Sequence, residues 1–327
     1  MIFQEYYHYY YETFRKARQR PITQSVVESL IRLHLDDSRL AQMDIADIRT
    51  IDVQKHLTEQ KTRGGIPKFG KGKGGYPLAN STIIKLRQFI IAAMKQAVFD
   101  DLTDKNYAEM TMAMPMDWRD SPVFSEEARK DFLNASKNHR DYPAYMLLFY
   151  LGMRRSEVLG LPWSNVNFEE KYLAINQTLT VINGVPTINP ATKTKGSVRI
   201  LPLVDKLINL LKNWQERQKI ELKKHRARNQ YNLVFADKNG GLPNPEYFSR
   251  NFKTLVRKIA SCDNRLHVHS TRHSWATAMM HLGVSLTDVQ YLGGWSRPGV
   301  LLDIYAHTLQ DSQRDALRML SQKFNVQ

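Results

Sequence analysis

The 327-residue chain has a single cysteine, Cys262, so no disulfide forms within it and a scaffold stapled by cross-links is excluded. A reducing compartment, the cytoplasm, suits such a chain. Cys262 itself reads as a small buried hydrophobe rather than a nucleophile. Long apolar runs are missing too. No window approaches the roughly 18 uncharged apolar residues of a membrane span, and the opening MIFQEYYHYYYETFRKARQR lacks the charged-then-apolar order of a secretory signal. Acidic residues are few: 32 against 47 lysines and arginines, a formal charge of +15. A surplus that large points to a polyanionic partner, and nucleic acid is the commonest one.

What is present is ordinary globular composition, 42% hydrophobic and 24% charged, at a length that suggests two domains. From residue 1 to about 110 the pattern is helical. In ITQSVVESLIRLHL, Ile22, Val26, Leu30 and Leu33 recur three or four apart, the spacing of an amphipathic helix. IDVQKHLTEQ and NSTIIKLRQFIIAAMKQAVFDD repeat it, the latter with Asn80 or Ser81 available as a cap. The tyrosines of YYHYYYETF have the means to stack on bases, but the simpler reading is that they pack one helix on its neighbours.

Between two of these helices RGGIPKFGKGKGGYP carries six glycines and four basic residues without an acid, which makes it a flexible cationic loop. Gly65, Gly70 and Lys71 nearly spell a phosphate-cradling P-loop, but Gly72 stands where Ser or Thr must reach magnesium, and a helix precedes it instead of a strand. ATP binding is rejected here. Lys68, Lys71 and Lys73 are read instead as contacts to a DNA backbone.

The stretch TMAMPMDWRDSP, residues 111–122, has no period and two prolines, and is read as a linker. It divides a helical domain, 1–115, from a second domain, 116–327. There Ser125 looks like an N-cap ahead of Glu126 and Glu127. KYLAINQTLTVINGVPTINPATKTKGSVRILPL then breaks at Asn183-Gly184, a strong hairpin signal, and at Gly196-Ser197. The expected fold is mainly α with one small three-stranded antiparallel sheet set among the helices of the second domain. The helix in DKLINLLKNWQERQKIELKKHRARNQ turns basic at its end, which reads as a solvated face.

The chemistry concentrates in HVHSTRHSWAT, residues 267–277. His269 and His273 share a helix face, as zinc ligands would. But no Glu follows the first histidine as in the metalloprotease pattern, and Arg272 would set a positive charge beside the cation. A phosphate fits better. Arg272 offers a planar fork to its oxygens, and His269, one turn earlier, can move a proton near neutral pH. A second arginine stands at a helix start in YLGMRRSEVLGLPW, with a carboxylate three residues on. TKTKGS puts Lys193 and Lys195 at a hairpin tip, and Tyr305, in YLGGWSRPGVLLDIYAHT, can serve as a nucleophile.

The order R-x-x-E, lysine hairpin, H-x-x-R-H, L-G-G-W-S and I-Y-x-H resembles the tyrosine recombinases, the phage-integrase family. Each piece alone is weak; five in order on a chain of this charge are strong. The resemblance implies that Arg154 and Arg272 clamp the scissile phosphate, with Glu157 buttressing the first and His273 supporting the second. It makes His269 the histidine of the arginine-bearing box, Lys193 (over Lys195) the general acid and Tyr305 the nucleophile. Trp295 stands where the family usually has histidine, trading a hydrogen bond for packing. Arg155, about 100° away from Arg154 on a helix, falls to the surface or to a DNA backbone. Tyr291, in a helix-to-turn segment, is read as packing.

It further implies site-specific strand exchange for integration or excision of a mobile element through a 3′-phosphotyrosyl bond, without metal, ATP or other cofactor. The partner is double-stranded DNA carrying specific sites, clamped between the helical core-binding domain and the catalytic domain. The resemblance also implies a homotetramer on DNA and leaves room for accessory DNA-bending proteins. The apolar stripe of Leu317, Leu320 and Phe324 would dock the C-terminal helix on its own domain or on a neighbouring protomer. A type IB topoisomerase, which relaxes supercoils with the same site chemistry, is the alternative; the two-domain plan with a trailing helix favours the recombinase.

Overall fold

Phe3, Tyr6, Tyr7, Tyr10 and Tyr11 recur at helical spacing, and helix α1 (Phe3–Tyr10), continued by a wider turn over Tyr11–Arg15, buries all five. In the computed structural model, which describes residues 1–66, 74–116, 122–190, 198–297, 299 and 321, these rings close on Phe89. The Tyr6 and Tyr7 hydroxyls donate to Asp100 and Asp36 at 2.7 and 2.8 Å. Four of the run's five tyrosines are therefore core, as the packing reading has it, while Tyr9 is exposed; a buried phenol keeps its hydroxyl only where it finds an acceptor.

The chain separates into two compact units, Met1–Arg119 and Asp120–Gln327. The first is helical: α1 is followed by α2 (Pro21–His34), α3 (Thr50–Arg63) and α4 (Asn80–Phe99). Two local expectations are corrected there. In α2 it is Ile31 that is buried, while Ile22, Val26 and Leu33 are exposed, so the inward face lies off the stripe that spacing picks out. Neither Asn80 nor Ser81 caps α4. The N-cap is Ala79, and the Asn80 amide donates to the Pro115 carbonyl at 3.1 Å; that tertiary acceptor competes with the local cap.

The second unit begins with α5 (Glu126–Ala135), whose N-cap Ser125 accepts from the Ala128 amide at 3.1 Å. Next comes α6 (Tyr142–Leu151), apolar on nearly every face and so buried all round. After the short α7 (Arg155–Leu159) come strands β1 (Val166–Asn167), β2 (Tyr172–Ile175), β3 (Gln177–Ile182), β4 (Val185–Pro190) and β5 (Arg199–Pro202). Asn183 and Gly184 both take positive φ, 49° and 82°, as the two-residue turn of the β3–β4 hairpin requires.

The expected single sheet is two. Strands β1, β2 and β5 pair antiparallel in the order β1-β2-β5, and β3 with β4 makes a separate ribbon. The reason is register: β2 pairs forward to β5 across the intervening hairpin, with Ile175 opposite Arg199, leaving β3 and β4 only each other. Helices α8 (Asp205–Lys224), α9 (Pro245–Lys258), α10 (Val268–His281) and α11 (Leu286–Gly293) complete the unit. One core built on Phe132, Tyr145, Phe252 and the inward faces of β2 and β5 unites α5, α6, α8 and α9. The mainly α architecture with a small antiparallel β portion is as read from the sequence.

Candidate active site

Two helices end in left-handed glycines, and each hands a backbone carbonyl to an arginine. Gly152, at φ 60°, closes α6, and Gly294, at φ 68°, closes α11. That conformation strains any residue bearing a Cβ. Arg272, on the first turns of α10 and 1% exposed, donates from Nη1 to the Gly152 carbonyl at 2.7 Å. Arg154, the N-cap of α7, donates from Nη2 to the Gly294 carbonyl at 2.6 Å. The residue after Gly294 is Trp295, and the Arg272 guanidinium carbon sits 3.6 Å above the centre of its ring. The two forks thus meet at consecutive residues of one turn, although 118 positions separate them in sequence (272 − 154).

Glu157 is 3% exposed and accepts from the Arg154 Nη1 at 2.7 Å and from the Arg154 amide at 2.8 Å. Burial alone would raise its carboxyl. The hydrogen bonds and charge of Arg199, then the charge of Arg154, outweigh that and bring it down to about 2. Spacing missed Arg199, which completes this cluster. It enters from β5, wholly buried, with Nη1 and Nη2 each 2.9 Å from a Glu157 oxygen and Nε donating to the Leu292 carbonyl at 2.7 Å. The sequence did hold a signal, since Arg199 shares the inward phase of β5 with Leu201 while Ile200 faces out. A charge at an inward strand position needs a partner.

His269 and His273 lie one turn apart on α10 with ring centroids 4.7 Å from each other, edge to face. His269 is an exposed residue whose ring is partly desolvated by its neighbours. That desolvation, then the charges of His273, Arg272, His267 and Arg154, hold it down to about 4. Desolvation, then Arg272, holds the buried His273 at about 4 as well. His269 is therefore a neutral imidazole near pH 7, with an unprotonated ring nitrogen beside both arginines. Trp295 also stacks on Trp275, at 6.3 Å and 14°, so its packing role has a definite object: it roofs Arg272. Among the described residues no three His, Cys, Asp or Glu side chains gather to hold a metal ion.

Arg155 turns away from Arg154, its Nη1 donating to the Ser249 hydroxyl at 2.6 Å and the Pro245 carbonyl at 3.3 Å at the start of α9. Tyr291 is 60% exposed, which corrects its reading as a packing residue: α11 buries Val289 and Gly293 instead. Cys262 is buried, and burial pushes its thiol up, which suits a structural residue. Lys68, Lys71, Lys73, Lys193, Lys195, Tyr305 and the Leu317, Leu320 and Phe324 stripe lie outside the described residues.

Comparison with known proteins shows the family. Residues 123–311 match the model of the phage integrase family. The chain is 26% identical to a "Tyrosine recombinase XerC-like" protein of Caldanaerobacter subterraneus subsp. tengcongensis over 96% of its own length and 81% of that protein. It is 25% identical to the transposase of transposon Tn916 from Enterococcus faecalis, over 77% of this chain and 64% of that one. In structure it is similar to the Tn1549 transposon integrase solved in complex with transposon right-end DNA. That TM-score is 0.79 at 22% identity, covering 98% of this chain and all of the other. A lambda integrase dimer bound to a core site matches at TM-score 0.63 and 15% identity, over 91% and 75% of the two chains. With its family model covering more than half the sequence, the chain belongs to the phage integrase family, the tyrosine recombinases, which break and rejoin DNA.

Proposed function

We propose that the chain recombines DNA at specific sites of a mobile element, cutting and rejoining each strand through a 3′-phosphotyrosyl bond to Tyr305. The observation that carries this reading is the meeting of Arg154 and Arg272 at Gly294 and Trp295, with a neutral His269 in the field of both. Two preorganised guanidinium groups favour the extra negative charge of a pentacovalent phosphorane. The Tyr305 oxygen attacks phosphorus and its proton passes to His269. The bond to the 5′ oxygen breaks, and Lys193 (over Lys195) hands that oxygen a proton. The phosphodiester energy stays in the protein linkage, so attack by the partner strand's 5′ hydroxyl restores the DNA without ATP. Charge is supplied by arginine and lysine, and the reaction as written calls for no metal.

The helical domain, 1–115, and the catalytic domain, 116–327, would clamp the duplex between them. Lys68, Lys71, Lys73, Arg155 and Lys195 are the proposed backbone contacts, and accessory bending proteins would shape the longer sites. Exchange between two duplexes needs four cleavages, hence a tetramer with the C-terminal helix passed between protomers. The reaction belongs in the cytoplasm, where a lone buried thiol stays reduced. Relaxation of supercoils without partner exchange is not favoured, given relatives described as recombinases and transposases.

The test is covalent trapping on a nicked duplex bearing the element's ends, in EDTA. Wild type should leave an adduct that survives denaturation, and Tyr305→Phe none. An adduct in both moves the nucleophile elsewhere, with the exposed Tyr291 next in line. Cleavage that needs added magnesium overturns the mechanism.

A further inference from the structure

Arg154, Glu157 and Arg199 form a closed arrangement of charge, plus, minus, plus. The Glu157 carboxylate accepts four hydrogen bonds, two from each arginine, at 2.7–2.9 Å. Both arginines then reach the same end of α11, Arg199 through the Leu292 carbonyl and Arg154 through the Gly294 carbonyl. Gly294 makes the approach possible, because a Cβ there would lie 2.7 Å from the Arg199 Nη1. Only Arg154 of the three has a side chain open to solvent, at 35%; Glu157 and Arg199 are at 3% and 0%.

The charges decide what a phosphate would meet. A buried carboxylate facing Arg154 alone would cancel it, and the exposed edge of the fork would belong to a neutral pair. With Arg199 behind it, Glu157 is already neutralised from within, and one positive charge is left at the surface. We propose that Arg199 is a positioning residue for DNA cleavage: it neutralises Glu157 from the interior so that Arg154 keeps its charge for the scissile phosphate. The same side chain pins the turn bearing Trp295 to β5, the strand that follows the Lys193 segment in sequence. This inference rests on the recombinase reading and adds to it a residue that never touches DNA.

A double-mutant cycle tests the proposal with adduct formation on the nicked duplex, DNA affinity and thermal melting all measured on the full chain. Arg199→Met should slow adduct formation on the order of 10²-fold, as loss of a fixed donor to a developing charge does, while affinity for the duplex changes by less than about threefold. Glu157→Gln on top of Arg199→Met removes the carboxylate that would cancel Arg154, so the double variant should regain about tenfold or more over the single. A purely structural role predicts the opposite order, with the double variant no faster than Arg199→Met, and that result overturns the proposal. So does an Arg199→Met rate near wild type.

Should Arg199→Met melt below the assay temperature, Arg199→Lys takes its place. It keeps the charge and loses the fork, so its rate should stay within about tenfold of wild type; a loss as deep as the 10²-fold expected of the neutral variant overturns the proposal. Failure of the underlying reading looks different, because wild type itself would then form no adduct.

Discussion

Gly152 shows how narrow the tolerance is at single positions. It combines φ of 60° with the Trp275 ring, whose nearest atom would be 2.3 Å from an added Cβ. Gly184 has φ of 82° but nothing within 4 Å of such a Cβ. Gly184→Ala should therefore lose about 1–2 kcal/mol, the left-handed strain alone. Gly152→Ala should lose roughly 2–5 kcal/mol, because overpacking against Trp275 adds to the strain. Urea titrations at unchanged slope would read the two losses; equal losses would mean the Trp275 wall yields freely. At this scale the sequence is legible wherever a side chain announces its chemistry: Arg154, Glu157, His269, Arg272 and His273 are brought near one another. It was silent on Gly152 and Gly294 as acceptors, because a backbone carbonyl leaves no mark on residue spacing. Arg199 was overlooked since its partner Glu157 lies 42 positions away.

Among elements, α10 concentrates the acid sensitivity of the second unit. His269 and His273 are held at about 4, against about 6.5 when unfolded. In the first unit burial holds His56, on α3, at about 4 as well. A folded pKa below the unfolded one means that the unfolded chain binds more protons between the two values. Stability contributed by these neutral imidazoles is thus complete above pH 6.5 and declines as pH falls towards 4. Glu157, with its folded carboxyl at about 2, acts in a lower window, losing its contribution only as pH drops below about 4.5. Melting temperature should hold from pH 7.5 to about 6.5 and fall from there to pH 4.5, and a flat profile would contradict the burial of His56 and His273. Helix and hairpin positions followed from period and turn chemistry. Sheet membership did not, since β2 reaches over a complete hairpin to pair with β5, and no local pattern encodes a skipped partner.

For the whole molecule the charge of +15 has a thermodynamic signature. If DNA is held through six to ten phosphate contacts, affinity should drop by roughly 10³–10⁵ between 50 and 200 mM salt. Fluorescence anisotropy with a labelled duplex would measure it, and a shallow slope would mean that the surplus is spread over surfaces that never meet DNA. No helix among the described residues is long and apolar enough to cross a membrane.

The bonds that assemble the site span long stretches of chain: Arg272 to Gly152 over 120 residues, Arg154 to Gly294 over 140, Arg199 to Leu292 over 93. The first needs α10, and the other two cannot form until α11 has been made. During synthesis from the amino terminus the proposed DNA contacts Lys68, Lys71 and Lys73 emerge early, but Arg154 has no Gly294 to lean on and Arg272 no Trp295 above it. If those lysines hold DNA as proposed, a growing chain can cling to it long before it is built to cut it, and the order of translation itself keeps strand breakage for last.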